Sequence, residues 1–279
     1  ASAPPGSPRA GRLNSGVSAY SENPVPVSSN SLIHFTNDKE RLKSIFLENF
    51  RIGYCKETPT LGGFGTLSYV PMVSFCDIPL SQIKEHISKY GEYGIGLTRE
   101  WGIRNKLNPV LYLEPGSLLS ESYRAAANYF LSKANAEKEV VARSDDYFRA
   151  VLALGEMQSY TKNYQGDLVR RDGSRTPNYR FSDEREWRYV LPCQNGATPI
   201  MSEDTFNSPH GQARARDLIA RTRLVFEPND IRYVIIKDDS EIREFVEHLR
   251  NAKGGKYSQH DIDRLTTRIL TTEQIRQDI

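Results

Sequence analysis

The sequence predicts an α+β fold in which helical segments are inserted between strands. Short apolar segments of strand length, at 31–36, 70–76 and 93–98, alternate irregularly with segments whose apolar residues recur at helical spacing. No internal repeat and no linker divides residues 31–279, so a single domain that ends in a C-terminal helix accounts best for these patterns.

Composition excludes several classes of protein. The mean hydropathy is −0.57 and no apolar run is long enough to cross a membrane. The net charge of +2 excludes a polycation, so any surface for nucleic acid must be a local patch. The three cysteines are widely spaced and form no metal-binding pattern, which is typical of reduced thiols. We therefore expect a cytoplasmic protein without a membrane segment.

Residues 1–30 are rich in proline and small polar residues and contain no apolar core of the kind found in secretory signals. Such a segment cannot bury enough apolar surface to fold by itself. We interpret it as a disordered tail or a remnant of expression, and we place the start of the fold at Ser31.

The elements are predicted in chain order. A strand at Ser31–Thr36 precedes a helix with Asn37 as its N-cap and Glu40 three residues later. The glycine-rich segment 60–66 lacks the Lys-Ser/Thr of a phosphate loop, so we expect a flexible loop at the edge of a cleft. The remaining predicted elements are strands at 50–54, 70–76, 93–98, 109–114, 181–190, 221–226 and 231–237, and helices after Pro79, within 117–160, at 209–219, at 240–250 and from Ser258, with irregular chain at 161–180.

The strand at Phe181–Val190 concentrates two glutamates. Because side chains alternate along a strand, Glu184, Glu186 and Arg188 should share one face. Two carboxylates this close would repel each other if they were buried, so we expect them to line a wet cleft. There a carboxylate serves as a general base or stabilises a developing cation. The alternative is a solvated edge strand, whose surface ion pairs contribute about 0–1 kcal/mol and require no function.

His34 lies inside an apolar strand, where the alternative to a functional role is a core histidine bonded to backbone. The five histidines form no metal-binding pattern, and no serine or cysteine has the context of an activated nucleophile. Zinc chemistry and a catalytic triad are therefore both disfavoured.

Several segments carry a family resemblance. They are Leu32–Thr36 (LIHFT), Val70–Lys84 (VPMVSFCDIPLSQIK), Tyr90–Thr98 (YGEYGIGLT), Asn108–Tyr112 (NPVLY) and Glu184–Val190 (EREWRYV). In this order they resemble the ADP-ribosyltransferase superfamily and, more narrowly, the AbiGi abortive-infection family of phage-defence proteins. The opening His-Phe-Thr strand and the glutamate strand also resemble the DarT-type transferases, which modify nucleic acids.

The resemblance implies an ADP-ribosyltransferase-like fold, with a split antiparallel sheet around an NAD cleft. It makes Glu186 the catalytic carboxylate, which stabilises the oxocarbenium-like ribose, and gives Glu184 the role of orienting the acceptor or a water. The residues that it implies for NAD binding are His34, Phe35, Thr36, Ser74, Phe75 and Tyr93. It further implies a cognate toxin or antitoxin partner or a phage trigger, because AbiGi proteins are described as antitoxins.

The segment 161–180 stands where the acceptor-selecting loop of the transferases lies. Its cations are Lys162, Arg170, Arg171, Arg175 and Arg180, against Asp167 and Asp172, with tyrosines interleaved. Cations contact phosphates and tyrosines stack on unpaired bases, so we expect RNA or DNA as the acceptor, bound by Arg170, Arg171 and Arg175. The alternative is an ordinary solvated loop.

Three functions stay open. The first is transfer of ADP-ribose from NAD to a macromolecule such as RNA or DNA in phage defence, and the second is hydrolysis of NAD. The third is a non-catalytic antitoxin or binding module. An enzyme requires His34 and Glu186 to face one cavity, whereas a binding module does not.

Overall fold

The structure, a computed structural model, describes residues 29–61, 64–65, 67–136, 145–169, 173–193 and 198–278. The predicted tail lies outside these residues except for Ser29 and Asn30, and so do Arg170, Arg171 and the centre of the glycine-rich segment. Within the described ranges, no helix combines the length and the apolarity needed to cross a membrane.

The strands, numbered in chain order, are β1 (Ser31–Thr36), β2 (Phe50–Arg51), β3 (Gly53–Glu57), β4 (Thr60–Leu61), β5 (Phe64–Gly65), β6 (Ser68–Cys76), β7 (Tyr93–Thr98), β8 (Asn108–Pro109), β9 (Leu111–Leu113), β10 (Thr161–Asn163), β11 (Gln165–Val169), β12 (Arg175–Arg180), β13 (Glu186–Val190), β14 (Met201–Ser202), β15 (Arg223–Leu224), β16 (Ile231–Ile236) and β17 (Ile269–Thr271). The α-helices are α1 (Lys39–Glu48), α2 (Lys84–Tyr90), α3 (Arg99–Arg104), α4 (Leu118–Ala136), α5 (Asp145–Ser159), α6 (Glu203–Asn207), α7 (Pro209–Ala220), α8 (Ile242–Lys253), α9 (Gln259–Thr266) and α10 (Thr272–Asp278).

The main sheet has the order β17-β16-β7-β1-β6-β13-β8, and β3 and β14 also pair with β6. Its ladders are antiparallel except for the parallel pair of β16 and β17. The predicted mixture of helices and strands is confirmed. β1 pairs with β7 along its whole length, but it pairs with β6 at one position, Ile33 opposite Cys76. The two halves of the sheet therefore meet along a narrow seam.

Opposite residues in an antiparallel ladder point to the same side, so the registers define two faces of the sheet. The His34 face includes Leu32, Phe75 and Trp187, and its core is covered by helices α1, α3, α8 and α9. Trp101 of α3 is fully buried there, and its indole N–H donates to the Val225 carbonyl at 2.9 Å.

The opposite side, the Glu186 face, includes Ile33, Ser74, Cys76 and Glu186. One apolar cluster on this face joins Ile33 to isoleucines of α2, β16 and α10. A second cluster, of Val70, Met72 and Val190, lies further along the same face. Both faces of the sheet are therefore packed, which leaves the polar residues of the Glu186 face between two apolar regions.

Several local predictions are corrected. The N-cap of α1 is Asp38, whose carboxylate accepts from the amides of Glu40 and Arg41, rather than Asn37. The polar segment predicted as irregular forms three short strands, β10 to β12. The glutamate strand begins at Glu186, because residues 181–184 form a 3₁₀ turn that ends at Arg185 in the left-handed region, with φ of 45°.

Candidate functional site

The centre of the candidate site is the contact between β6 and β13. Their register sets Glu186 opposite Cys76 and Arg188 opposite Ser74, so that these side chains share the Glu186 face. Ser74 donates its hydroxyl to Glu186 Oε1 at 2.7 Å. Ser74, which the resemblance assigns to NAD binding, and Glu186, which it assigns to catalysis, are therefore in direct contact.

Glu186 accepts four hydrogen bonds within the protein. Its Oε1 accepts from Ser74 and from Arg188 Nε, each at 2.7 Å. Its Oε2 accepts from Lys162 Nζ at 3.0 Å and from Arg188 Nη2 at 3.1 Å. Burial alone would raise the pKa of Glu186, but the charges of Arg188 and Lys162 outweigh it and hold the pKa well below its usual range. Glu186 is therefore an ionised, fully engaged carboxylate.

A buried charge network extends from this contact and consists of Glu57, Arg188, Glu186, Lys162 and Glu184. Arg188, which is fully buried, also donates to Glu57 Oε2 at 2.9 Å and to the Ser159 carbonyl at 2.8 Å. Lys162 bridges the two glutamates, with Nζ 2.8 Å from Glu184 Oε2. Burial would lower the pKa of Lys162, but Glu186 and then Glu184 outweigh it and raise the pKa. The network thus alternates in sign from one member to the next.

Glu184 occupies the end of this network. The left-handed backbone at Arg185 turns the chain between the two glutamates, so that both side chains reach Lys162. Tyr90 of α2 donates its hydroxyl to Glu184 Oε1. Burial raises the pKa of Tyr90, and the charge of Glu184 raises it further. The phenol is therefore a neutral donor near pH 7.

Neither sequence interpretation of the glutamates describes this arrangement. They do not line a wet cleft, because the exposed fractions of Glu184 and Glu186 are 5% and 6%. They do not lie on a solvated edge either, because β13 pairs with β6 on one side and β8 on the other. The expected repulsion is removed by the half-buried Lys162 and the fully buried Arg188, which contact them.

His34 points to the other face of the sheet. Since Ile33 is the residue opposite Cys76, its neighbour His34 faces away from Glu186. Its Nδ1 lies 2.9 Å from the Ser74 carbonyl, and its ring contacts Phe50 and Phe75 at centroid distances of 5.3 and 5.7 Å. Burial lowers the pKa of His34, so the imidazole is neutral near pH 7. The expected common cleft of His34 and Glu186 is thus not what the structure shows.

The other residues assigned to NAD are divided between the two faces. Thr36 is buried and its hydroxyl accepts from the Asp38 amide, and Phe75 is buried in the core. Tyr93 donates to Glu241 at 3.0 Å on that same side, whereas Phe35 packs on the Glu186 face. One NAD molecule therefore does not fit all six residues in this conformation.

The predicted acceptor segment is less basic than its sequence indicates. Lys162 is neutralised by the two glutamates, and Arg175 forms an ion pair with Asp167 on the surface. Arg170 and Arg171 lie outside the described residues. Sequence reasoning placed Lys162 with the surface cations and missed its role in the network, because its partners lie more than 20 residues away. A cation at 162 and acids at 184 and 186 are too far apart in sequence for any local pattern to predict that they are in contact.

The comparisons with known proteins agree with the narrower resemblance. Residues 50–237 match the family described as "Putative abortive phage resistance protein AbiGi, antitoxin". The abortive phage resistance protein AbiGi of Lactococcus lactis subsp. cremoris is 25% identical over 226 residues, which cover 75% of this chain and 89% of that protein. No solved structure matches, and the ADP-ribosyltransferase-like fold stays a prediction from the resemblance. The family match spans more than half of the sequence, and the chain therefore belongs to the AbiGi family of abortive phage resistance proteins.

Proposed function

We propose that this protein acts in phage defence as a non-catalytic antitoxin, which binds a toxin partner and neutralises it. The observation that carries the proposal is the engagement of Glu186. A carboxylate offers about four lone-pair sites, and four donors from Ser74, Arg188 and Lys162 occupy those of Glu186. A ribose hydroxyl finds no acceptor there unless the network is first broken. The description of the family as an antitoxin supports the same conclusion.

Transfer of ADP-ribose from NAD to RNA or DNA is the second candidate function. One observation favours it, namely that Ser74 and Glu186, which the resemblance assigns to NAD binding and to catalysis, meet across neighbouring strands. In this candidate Glu186 stabilises the ribose cation and Glu184 orients the acceptor, after Lys162 has moved away from both. The placement of His34 on the opposite face counts against it.

Growth of a bacterial host tests the antitoxin role. The toxin candidate is the protein encoded by the gene adjacent to that of this chain, and it is expressed with and without the chain. We expect the chain to restore growth. The two proteins, expressed and purified separately and then mixed, should also form a complex that co-purifies. A toxic neighbour whose effect the chain does not relieve would contradict the proposal.

Two variants separate binding from chemistry in that assay. Glu186→Gln removes the carboxylate charge, whereas Lys162→Met weakens the same network and leaves the carboxylate in place. If the protein only binds, growth rescue by both variants should follow the amount of folded protein, measured by thermal melting and soluble yield. Loss of rescue in Glu186→Gln alone, at equal folded protein, would indicate a chemical role for Glu186.

Labelled NAD tests the enzymatic candidates directly. The purified chain is incubated with adenine-labelled NAD and with separate pools of protein, RNA and DNA, with and without the toxin. The antitoxin proposal expects neither label in a polymer nor release of nicotinamide. Label in RNA or DNA that disappears when Arg170, Arg171 and Arg175 are changed to Glu would establish the transferase. Release of nicotinamide without polymer label would establish NAD hydrolysis.

A further inference from the structure

A cavity of about 430 Å³ lies beside the charge network, between α2, the 3₁₀ turn at Leu80–Gln82 that precedes α2, and the turn that precedes β13. Its charged lining consists of Lys84, Lys89, Arg185, Glu85 and Asp183. Three cations against two carboxylates leave one positive charge in excess. The volume is within the range of about 300–1,000 Å³ that is usual for small-molecule sites.

His86 supplies an independent sign that the cavity receives a ligand. It lines the cavity, its exposed fraction is 5%, and neither ring nitrogen has a hydrogen-bond partner among the described residues. A buried polar group without a partner is costly, and in native proteins such a group calls for an explanation. Burial lowers the pKa of His86 and Lys89 lowers it further, so the ring is neutral, with one donor and one acceptor nitrogen.

The lysines of the lining retain capacity for a further partner. Lys84 donates to the Arg276 carbonyl at 3.0 Å, and Lys89 donates to Glu85 at 3.1 Å. Lys89 Nζ also lies 5.1 Å from the centre of the Tyr179 ring. An ammonium group has three N–H donors, so each lysine keeps at least one for a bound oxygen. Because Lys89 already engages Glu85, the repulsion that this carboxylate exerts on an anion is reduced. The lining therefore suits an anion that accepts several hydrogen bonds at once.

We propose that this cavity binds a small molecule through a phosphate group, held by Lys84, Lys89 and Arg185, and that the ring of His86 turns on binding so that one of its enclosed nitrogens donates to a phosphate oxygen. A phosphate matches this lining better than a carboxylate does, because its additional acceptor oxygens allow it to contact both lysines and the guanidinium at once. The site lies on the Glu186 face, and Tyr90 connects it to Glu184, since the Tyr90 ring is 5.8 Å from that of His86. The proposal does not depend on the antitoxin role.

Calorimetric titration of the full chain with inorganic pyrophosphate tests the site, with acetate as the carboxylate comparison. We expect binding of pyrophosphate with a Kd below about 1 mM and none of acetate at the same concentration. Lys84→Gln combined with Lys89→Gln should weaken the binding at least about tenfold, because two charge-assisted hydrogen bonds are lost. His86→Gln should weaken pyrophosphate binding by a smaller factor. In the parent protein, the proton resonances of the His86 ring should shift as pyrophosphate is added.

Arg243→Gln is the matched control, because Arg243 forms an i,i+4 ion pair with Glu247 on α8, as Lys89 does with Glu85 on α2. It should leave the Kd unchanged. Thermal melts of each variant establish that it is folded, and the lysine variant keeps the test valid if His86→Gln does not fold. Absence of pyrophosphate binding to the parent, or equal binding by the lysine variant and the control, would overturn the proposal. Equal binding of acetate would overturn the preference for phosphate.

Discussion

Replacement of Lys162 by Met should destabilise the protein strongly. Its ammonium lies 2.8 and 3.0 Å from oxygens of Glu184 and Glu186, whose side chains are only 7% and 8% exposed. Methionine keeps the apolar stem but leaves Arg188 as the one cation of the network against three carboxylates, and it removes the cation that contacts Glu184. Loss of one partner from a buried ion pair costs about 3–5 kcal/mol, because the remaining charge stays buried. At about 2–4 °C per kcal/mol for a chain of this size, we expect the Tm to fall by about 10 °C near pH 7.

Lys43→Met is the control for this prediction. Lys43 has the same side-chain exposure of 20% and also contacts two glutamates, at 2.8 and 3.2 Å, but these partners are 42% and 70% exposed. Exposed pairs contribute up to about 1 kcal/mol. Melting curves followed by circular dichroism would refute the reasoning if the two variants melted within about 2 °C of each other.

The pH dependence provides a second check on Lys162→Met. In the parent the pKa of Glu186 is lowered, so its stabilisation is present above the unfolded pKa of about 4.5 and is lost as the pH falls. In the variant, Glu186 loses the Lys162 charge that helps to lower its pKa, so it accepts a proton more readily in the folded state. The Tm difference between variant and parent should therefore shrink between pH 7 and pH 4. A difference that stays constant would show that lost packing, not charge, causes the effect.

Three further predictions concern single positions. Burial lowers the pKa of Lys253 from 10.5 to about 8. Burying its charged ammonium group therefore reduces the free energy of unfolding by up to about 3 kcal/mol below pH 8. Lys253→Met should raise the Tm at pH 7 by an amount that vanishes as the pH approaches 10.5, the pKa of the unfolded state. A constant gain across pH 6–10 would contradict this. Gly211→Ala should destabilise by about 2 kcal/mol or more in urea unfolding, because its Cβ would lie 1.7 Å from the Thr205 carbonyl oxygen. Asp38→Ala should cost about 1 kcal/mol in the same measurement through loss of the α1 cap, whereas Asn37→Ala should not.

The sequence was informative where local pattern decides the structure. The strand at Ser31–Thr36 has the predicted bounds, because its apolar composition and its flanking polar residues specify it without help from distant contacts. The segment 161–180 was misjudged for the opposite reason. Its short strands β10 to β12 are polar, and β10 depends on pairing with β9, which lies about 50 residues earlier in the chain.

The candidate site depended on a register that no local pattern shows. The resemblance pointed to Ser74 on β6 and to Glu186 on β13, which the structure shows to be neighbouring strands, but not to the faces of the sheet on which the assigned residues lie. A shift of β1 by one residue relative to β6 would have moved His34 to the side of Glu186. The partners of the glutamates were equally hidden, since a cation at 162 looks the same in sequence whether it is solvated or buried.

The narrow seam between β1 and β6 makes the imidazole of His34 part of the connection between the two halves of the sheet. With one ladder pair at Ile33 and Cys76, the backbone joins the two halves of the sheet only weakly at this line. The contact between His34 Nδ1 and the Ser74 carbonyl crosses the same line and adds a second connection between β1 and β6. Because the Ser74 hydroxyl also donates to Glu186, one residue of β6 connects the imidazole on one face of the sheet with the charge network on the other.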